Sequence, residues 1–456
     1  MFVNRERELE ALERWWAEPG GRLGLLWGRR RVGKTALLEA FAEGKPTVFH
    51  TGAGRPAVDE LAVLSRSAQS ALGDAGTRDL AARPFVDWRD ALDALAGAAR
   101  DRPLLVVFDE FPDLVATSAS LAGELRAFWD RARTRSNLRV LLCGSAVRTM
   151  RAVQEERAPL YGRIDLSLLL HPFAPHEASA LLRRLAPEER ALVWGLVGGM
   201  PLYLAWWDQS ESVRANLLRL IATPGGQLLS EGQLVLATEA DSGQLDAQVL
   251  RAIALGRTKH NEIADAVRAE PARTLDRLIE LRLVERVVPV TDDPRRTRRR
   301  RYRVADNFLA FWLGVIEPYK AEIERGLGRS ILPVVQRSLD DFMGPRWEEA
   351  FREHLRRLAG AGELGPEIVA LGPFWRDQPA VEIDAVALAG RGRTPVLAGE
   401  ARWARSVDAA KVGRSLERRS QALEGRQEPL RLAVAAREEV RSSADVLPIT
   451  AREIFG

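Results

Sequence analysis

The chain has 456 residues, 46% of them hydrophobic and 29% charged, enough for about three globular domains. Its formal net charge is only +4 although the isoelectric point is near 9.5, so affinity for nucleic acid has to come from local basic patches. The single cysteine, Cys143, excludes an intramolecular disulfide and fits a reducing compartment. No signal-peptide layout opens the chain, and its best apolar run, Phe308 to Ile316, is far short of the roughly 18 residues of a membrane span, so a cytoplasmic location is expected.

The opening segment FVNRERELEAL reads as a helix with Asn4 as N-cap and an apolar stripe of Leu9, Leu12 and Trp16. Leu23 to Trp27 then reads as a buried strand, followed by Gly28-Arg29-Arg30-Arg31-Val32-Gly33-Lys34-Thr35 and a helical pattern from Ala36. These eight residues fit G-x-x-x-x-G-K-[ST] at every fixed position. The glycines allow a tight turn whose N–H groups, with the following helix N-terminus, can face phosphate oxygens. Lys34 supplies a point charge, and it is one of only five lysines in an arginine-rich chain. The Thr35 hydroxyl suits Mg²⁺, so ATP with Mg²⁺ is the expected ligand. A chance glycine turn is the alternative.

A short strand (Thr47 to His50) and an alanine-rich helical region lead to LLVVFDE, an apolar run ending in two acids. Coming after a phosphate loop, it has the form of a Walker B strand. Asp109 would hold Mg²⁺ through water, and Glu110 would orient or deprotonate the attacking water. A buried strand with an acidic turn is the bland alternative. Leu138 to Gly144 is a further buried strand ending at Ser145, either a γ-phosphate sensor as in AAA+ ATPases or a solvated loop serine. Arg163, just before a strand at Ile164 to Leu170, either reaches a γ-phosphate in cis or in trans or is a surface residue. Alternating apolar strands and helices imply a parallel sheet covered on both faces, with its ligand at the strands' carboxyl ends. Residues 1–172 are assigned to this core, and 173–222, with its GGMPLYL element, to a helical lid.

Residues 223–244 are weakly patterned and read as a linker. In 245–305, three short helices precede two strand-like pieces flanking TDDPRRTRRR, the order of a winged helix. Six arginines between Arg295 and Arg301 could neutralise phosphates of DNA, or the module could serve protein contact and packing. Residues 306–340 are too apolar for a linker and read as connecting helices. In 341–456, Trp347, Phe351, Leu355 and Leu358 mark a helix with Glu348 at the edge of its apolar face. The segment VEIDAVAL alternates as a strand, and VLAGEARW follows it as a second. Glu400 and Arg402 project from one face there, and Asp384 can meet Glu400 across the hairpin, a pair able to hold a second divalent metal.

The ordered set of FVNRERELEAL, GRRRVGKT, LLVVFDEF, LLCGSA, PLYGRID, GGMPLYL, RYRVADNFLAFW, WEEAFREHL and EIDAVAL…GEARW resembles the archaeal-type ATPases of prokaryotes. That resemblance spans nearly the full length. It implies an α/β P-loop ATPase of AAA+/STAND character, with helical lid, winged helix and a C-terminal PD-(D/E)xK restriction-endonuclease-like domain. The nuclease-type core of the family maps onto Glu348, Asp384 and Glu400, with Arg402 standing where the pattern has lysine. Arginine stays charged and presents a planar fork, so that departure leaves two outcomes open: an active metal-dependent nuclease or a fold retained for binding. Lys411 on the following helix is a candidate substitute for the missing lysine. Nucleic acid, a protein partner or a second copy of the chain are the macromolecular partners these features admit.

Overall fold

The computed structural model describes residues 3–73, 78–239, 244–365, 367–441 and 445–456. They form two compact units that divide between His171 and Pro172.

In the first unit the apolar runs form a parallel five-stranded sheet of β1 (Arg22–Trp27), β2 (Thr47–Thr51), β3 (Leu104–Asp109), β4 (Leu138–Gly144) and β5 (Leu166–Leu169), ordered β2-β3-β4-β1-β5. Every residue of β3 and β4 is buried, as expected of central parallel strands covered on both faces. Helix α1 (Glu6–Ala17) and helix α2 (Lys34–Ala42) meet through Trp15 and Phe41, and Gly24 of β1 lies directly beneath Trp15. Leu23, Leu25 and Trp27 alternate to the other side. There they share a core with α3 (Ala57–Leu72), α4 (Trp88–Ala98), α5 (Phe111–Thr117) and α6 (Leu121–Ala132). A short α7 (Val147–Ala152) follows β4.

One correction concerns the start of α1. Asn4 is not its N-cap: Arg5 holds that position at φ 83°, with no side-chain cap. The Arg5 guanidinium is drawn inward instead, donating to Glu8 and to the carbonyls of Val32 and His171. The other end of α1 is stabilised by Arg139 of β4, a buried guanidinium that donates to the carbonyls of Trp16, Glu18 and Gly20. A cation at a helix C-terminus meets both the dipole and the orphan carbonyls, which explains an arginine inside a central strand.

The second unit opens with α8 (Pro175–Ala178), α9 (Pro187–Val197), α10 (Pro201–Trp206) and α11 (Val213–Leu220). The region read as a linker contains helix α12 (Gln227–Glu239). Leu228, Leu229 and Val235 bury there, and the indole of Trp312 crosses Gly232 and donates to the carbonyl of Leu229. The weak sequence pattern reflects a buried face that includes Glu231 and Gly232, with Leu234 exposed on the opposite face.

Helices α13 (Gln244–Ala254), α14 (His260–Val267) and α15 (Ala272–Glu280) precede an antiparallel hairpin of β6 (Val284–Val287) and β7 (Arg301–Val304). α16 (Asn307–Phe311), a π-turn (Trp312–Ile316), the short α17 (Lys320–Glu322) and α18 (Gly328–Arg337) then reach the long α19 (Leu339–Gly360).

The chain ends in a mixed five-stranded sheet of β8 (Ile368–Asp377), β9 (Ala380–Ala389), β10 (Thr394–Ala401), β12 (Arg431–Ala435) and β14 (Val446–Ile449), ordered β14-β12-β10-β9-β8. β8, β9 and β10 form an antiparallel meander; β12 and β14 add in parallel. Helix α20 (Ala409–Ser420) packs on this sheet through Val412 and Leu416. A small parallel pair, β11 (Ser406–Asp408) with β13 (Glu439–Arg441), and helix α21 (Ala451–Phe455) complete it. Among the described residues no helix is long and apolar enough to cross a membrane.

Candidate active site

The phosphate loop joins β1 to α2. Gly33 sits at φ 95° as the α2 N-cap, a conformation costly for any residue with a Cβ. A Cβ on Gly28 would fall 2.5 Å from the carbonyl oxygen of Leu170, so the loop leaves β1 against bare backbone. Lys34 is 6% exposed, and its ammonium donates to the carbonyls of Gly28 and Arg29, both at 3.1 Å. Two of its N–H donors thus shape the loop itself. Arg5 bonds the Val32 carbonyl in the same loop, a brace between positions 27 apart that no local pattern announces.

The loop faces the carboxyl end of β3. The Thr35 hydroxyl donates to Asp109 Oδ2 at 3.2 Å, and Asp109 Oδ1 accepts the backbone N–H of Glu110. The hydroxyl and the buried carboxylate are hard oxygen donors set side by side, a fit for Mg²⁺ accompanying a nucleotide. Glu110 adopts φ 46°, and its Oε2 accepts from the Ser145 hydroxyl at 2.9 Å and the Ser145 N–H at 3.2 Å. Ser145 therefore orients Glu110 directly. Burial first and the Glu110 charge second push the nearby Asp113 carboxyl above its ordinary value. Cys143, on β4, is buried beside Asp109, and burial raises its thiol well above the usual range.

Arg163 stands apart from this group. Its guanidinium forms a two-pronged pair with Asp130 of α6, at 2.7 and 2.9 Å, and also donates to the carbonyls of Pro159 and Tyr161. Arg29, Arg30, Arg31 and Val32 all lie in the loop, where Arg29 and Val32 are buried while Arg30 and Arg31 are exposed.

In the second unit, Glu348 (α19), Asp384 (β9) and Glu400 (β10) do gather. Asp384 Oδ2 accepts the backbone N–H of Ala401 at 2.8 Å. Burial and the neighbouring Glu348 push Asp384 up to about 7, and burial likewise raises Glu348. Arginines fill the spaces between them. Arg402 donates to Glu400 Oε1 at 3.2 Å, and Arg419 of α20 donates to Glu400 Oε2 and to the Glu382 carbonyl. Arg352 lies 3.6 Å from Glu348 and donates to the Asp384 carbonyl. The basic residue that reaches back from α20 is thus Arg419. Lys411 stands in the first turn of that helix, its N–H capped by Asp408. Among the described residues no group of three His, Cys, Asp or Glu side chains converges to hold a metal. With both Glu400 oxygens engaged by guanidinium groups, the second divalent ion does not fit this arrangement.

The arginine-rich hairpin is also engaged within its own unit. Arg299 pairs with Asp292 and donates to the Trp375 carbonyl at 2.8 Å. Arg301 donates to Glu382 at 2.6 Å and lies over the Trp375 ring. Arg303 bridges Glu285 and Glu349. After β6, Pro289 interrupts pairing with the partner strand, and Val290 donates to the Pro373 carbonyl of β8. Arg295, Arg296 and Arg298 remain exposed at the tip, while α15 exposes Arg273, Asp276 and Glu280.

Comparison with known proteins agrees with this geometry. Residues 2–206 match the family model described as an ATPase domain predominantly from Archaea, and residues 312–412 match one described as archaeal and bacterial proteins of unknown function. The chain is 24% identical over 432 residues to the uncharacterized protein MJECL04 of Methanocaldococcus jannaschii, covering 92% of each. A 45-residue stretch is 60% identical to the uncharacterized ATP-binding protein MJ0423 of the same organism, covering 10% of this chain and 76% of that one. Among solved structures, the Walker-type ATPase paby2304 of Pyrococcus abyssi is similar in fold at TM-score 0.54 and 22% identity, covering 68% of this chain and 96% of that one. With a phosphate loop braced by Lys34 and a Thr35–Asp109 pair beside it, the chain belongs to the ATPase family found predominantly in Archaea and is a P-loop ATPase.

Proposed function

We propose that the protein is an ATP-hydrolysing switch of AAA+/STAND type, whose second unit responds to the state of the nucleotide site. The observation that carries this reading is the Glu110–Ser145 pair placed immediately after Asp109. When bound, Mg²⁺ would supply charge neutralisation on the phosphate oxygens, held by Thr35 and Asp109. Lys34 and the loop N–H groups bind and orient the phosphates. Glu110 orients a water for in-line attack on the γ-phosphorus and receives its proton as the bond to the ADP oxygen breaks. Ser145 keeps the Glu110 carboxylate in place until that water arrives. Arg163 is committed to Asp130, so a transition-state role for it requires that pair to open, in cis or against a second copy.

The experiment is a comparison of nucleotide binding and turnover in Glu110→Gln. Mg-ATP affinity within about threefold of wild type and turnover lowered by about 10²–10⁴ support the reading. Full turnover removes it.

We read the hairpin module of residues 245–305 as a winged helix used to hold the C-terminal domain, because Arg299, Arg301 and Arg303 bond to residues of that unit. DNA binding through the exposed tip is the competing reading, and it requires affinity that falls steeply with salt. For the C-terminal domain, the gathering of Glu348, Asp384 and Glu400 favours a PD-(D/E)xK-like ancestry. Its arginine-filled centre favours a binding role over cleavage. Mg²⁺- or Mn²⁺-dependent nicking of DNA or RNA that disappears in Asp384→Ala would reverse that preference.

A further inference from the structure

Glu60 lies on α3, outside every motif of the ATPase, and is completely buried. Its Oε1 accepts the backbone N–H groups of Ala53 at 2.9 Å and Arg55 at 3.0 Å. Oε2 is 3.1 Å from Nε2 of His50 on β2, an equally buried ring set edge-on to Phe108. Oε2 and Nε2 face each other without full hydrogen-bond alignment, and ring Nδ1 has no hydrogen-bond partner. Burial lowers the pKa of His50, which favours its neutral form. Unmatched buried polar groups are costly, and where a fold retains them they call for a reason beyond packing.

The reason lies one contact away. The segment from Gly52 to Arg55, which Glu60 pins, follows β2 and lies against the end of β3. Gly52 donates its N–H to the Asp109 carbonyl at 2.8 Å. A Cβ on Gly52 would stand 2.8 Å from the Glu110 carbonyl oxygen and 2.7 Å from Leu114, so the segment rests flush on the Walker B turn. Glu110 is held there at φ 46°, in the left-handed region, where a residue persists only when its surroundings enforce it. Ser145 fixes the carboxylate end of Glu110, and the Gly52 segment fixes its backbone.

We propose that Glu60 is a positioning residue for ATP hydrolysis: by pinning the Gly52–Arg55 segment it sets the direction in which Glu110 leaves β3. The proposal rests on reading Glu110 as the residue that orients the attacking water. It requires that Glu60 influence the chemical step and leave nucleotide binding, the work of Lys34 and the loop, nearly untouched.

The test uses the full chain and measures ATP turnover alongside equilibrium binding of a non-hydrolysable ATP analogue with Mg²⁺. Glu60→Ala is expected to lower kcat by about tenfold or more while KM and analogue affinity stay within about threefold. Glu60→Gln keeps an acceptor for Ala53 and Arg55 and restores most of the lost rate. Gly52→Ala leaves Glu60 intact but intrudes on the Glu110 carbonyl, and it repeats the loss in kcat. Wild-type kcat in folded Glu60→Ala overturns the proposal, as does equal loss of rate and affinity, which marks a merely structural role. If Glu60→Ala does not fold, Gly52→Ala decides: an unchanged kcat there is equally fatal. Glu110→Gln, run in parallel, separates the failures, because full turnover in that variant removes the role of Glu110 itself.

Discussion

Replacing Lys34 with methionine keeps the length and apolar character of the buried stem and deletes only the charge. The ammonium bonds the carbonyls of Gly28 and Arg29, which places its charge within the loop that faces the phosphates. A unit charge about 4 Å from a phosphate oxygen, at an effective dielectric constant of about 20, contributes about 4 kcal/mol. At about 1.4 kcal/mol per decade, that is roughly a thousandfold in Kd. Lys34 is 6% exposed, which argues against heavy solvent screening of this figure. Calorimetric titration with Mg-ATP measures the change. Thermal denaturation gives an independent reading, since ligand at 100 times its Kd adds about 2.7 kcal/mol to wild-type stability and almost nothing to the variant at the same concentration. A Kd for Lys34→Met within about threefold of wild type, with the fold intact, would refute the assignment of this loop as the phosphate cradle.

The C-terminal carboxylate centre makes two predictions. Arg419→Met removes a charged donor from Glu400 Oε2 and should cost about 1.5–3 kcal/mol in denaturant unfolding of the full chain, with ATP binding unchanged. Asp384→Asn tests the raised pKa. Folded Asp384 keeps its proton up to about pH 7, whereas an unfolded aspartate loses it near about pH 3.9. Its contribution is therefore full at the acid end and is lost as pH rises across that window. The melting temperature of Asp384→Asn relative to wild type should climb from pH 5 to pH 8, and a flat difference would contradict the shift.

What could be read from the sequence was what lies contiguous in it. GRRRVGKT and LLVVFDE each carry their chemistry within eight residues, and the fold puts both at the carboxyl ends of parallel strands of one sheet, β1 and β3, with β4 between them. Asp384 and Glu400 could be anticipated from strand pairing across a hairpin, whereas Glu348, on a helix, joined them only through the family resemblance. Their arginine partners could not be anticipated. Arg419 is 19 positions from Glu400 and one of many arginines, so nothing local distinguishes it. Arg5 and Glu60 escaped for a related reason: each also bonds backbone groups, of Val32 and His171 and of Ala53 and Arg55, which have no sequence signature. The linker reading of 223–244 missed α12 because its one buried face carries Glu231 and Gly232 among Leu228, Leu229 and Val235, while Leu234 on the opposite face is exposed, which blurs the apolar stripe. Asn4 has cap chemistry, but the inward pull on Arg5 decides where α1 begins.

Cys143 turns the nucleotide site into its own clock. It is the only thiol in the chain, sits one strand from the Walker B acids, and is held protonated by burial. An alkylating reagent can modify it only when β4 is exposed, so the rate of labelling counts openings of the sheet that carries Asp109 and Glu110. Saturating Mg-ATP should slow that rate in wild type and leave it unchanged in Lys34→Met. One unmodified residue thus reports, over minutes to hours, how firmly the ligand holds the ATPase core shut.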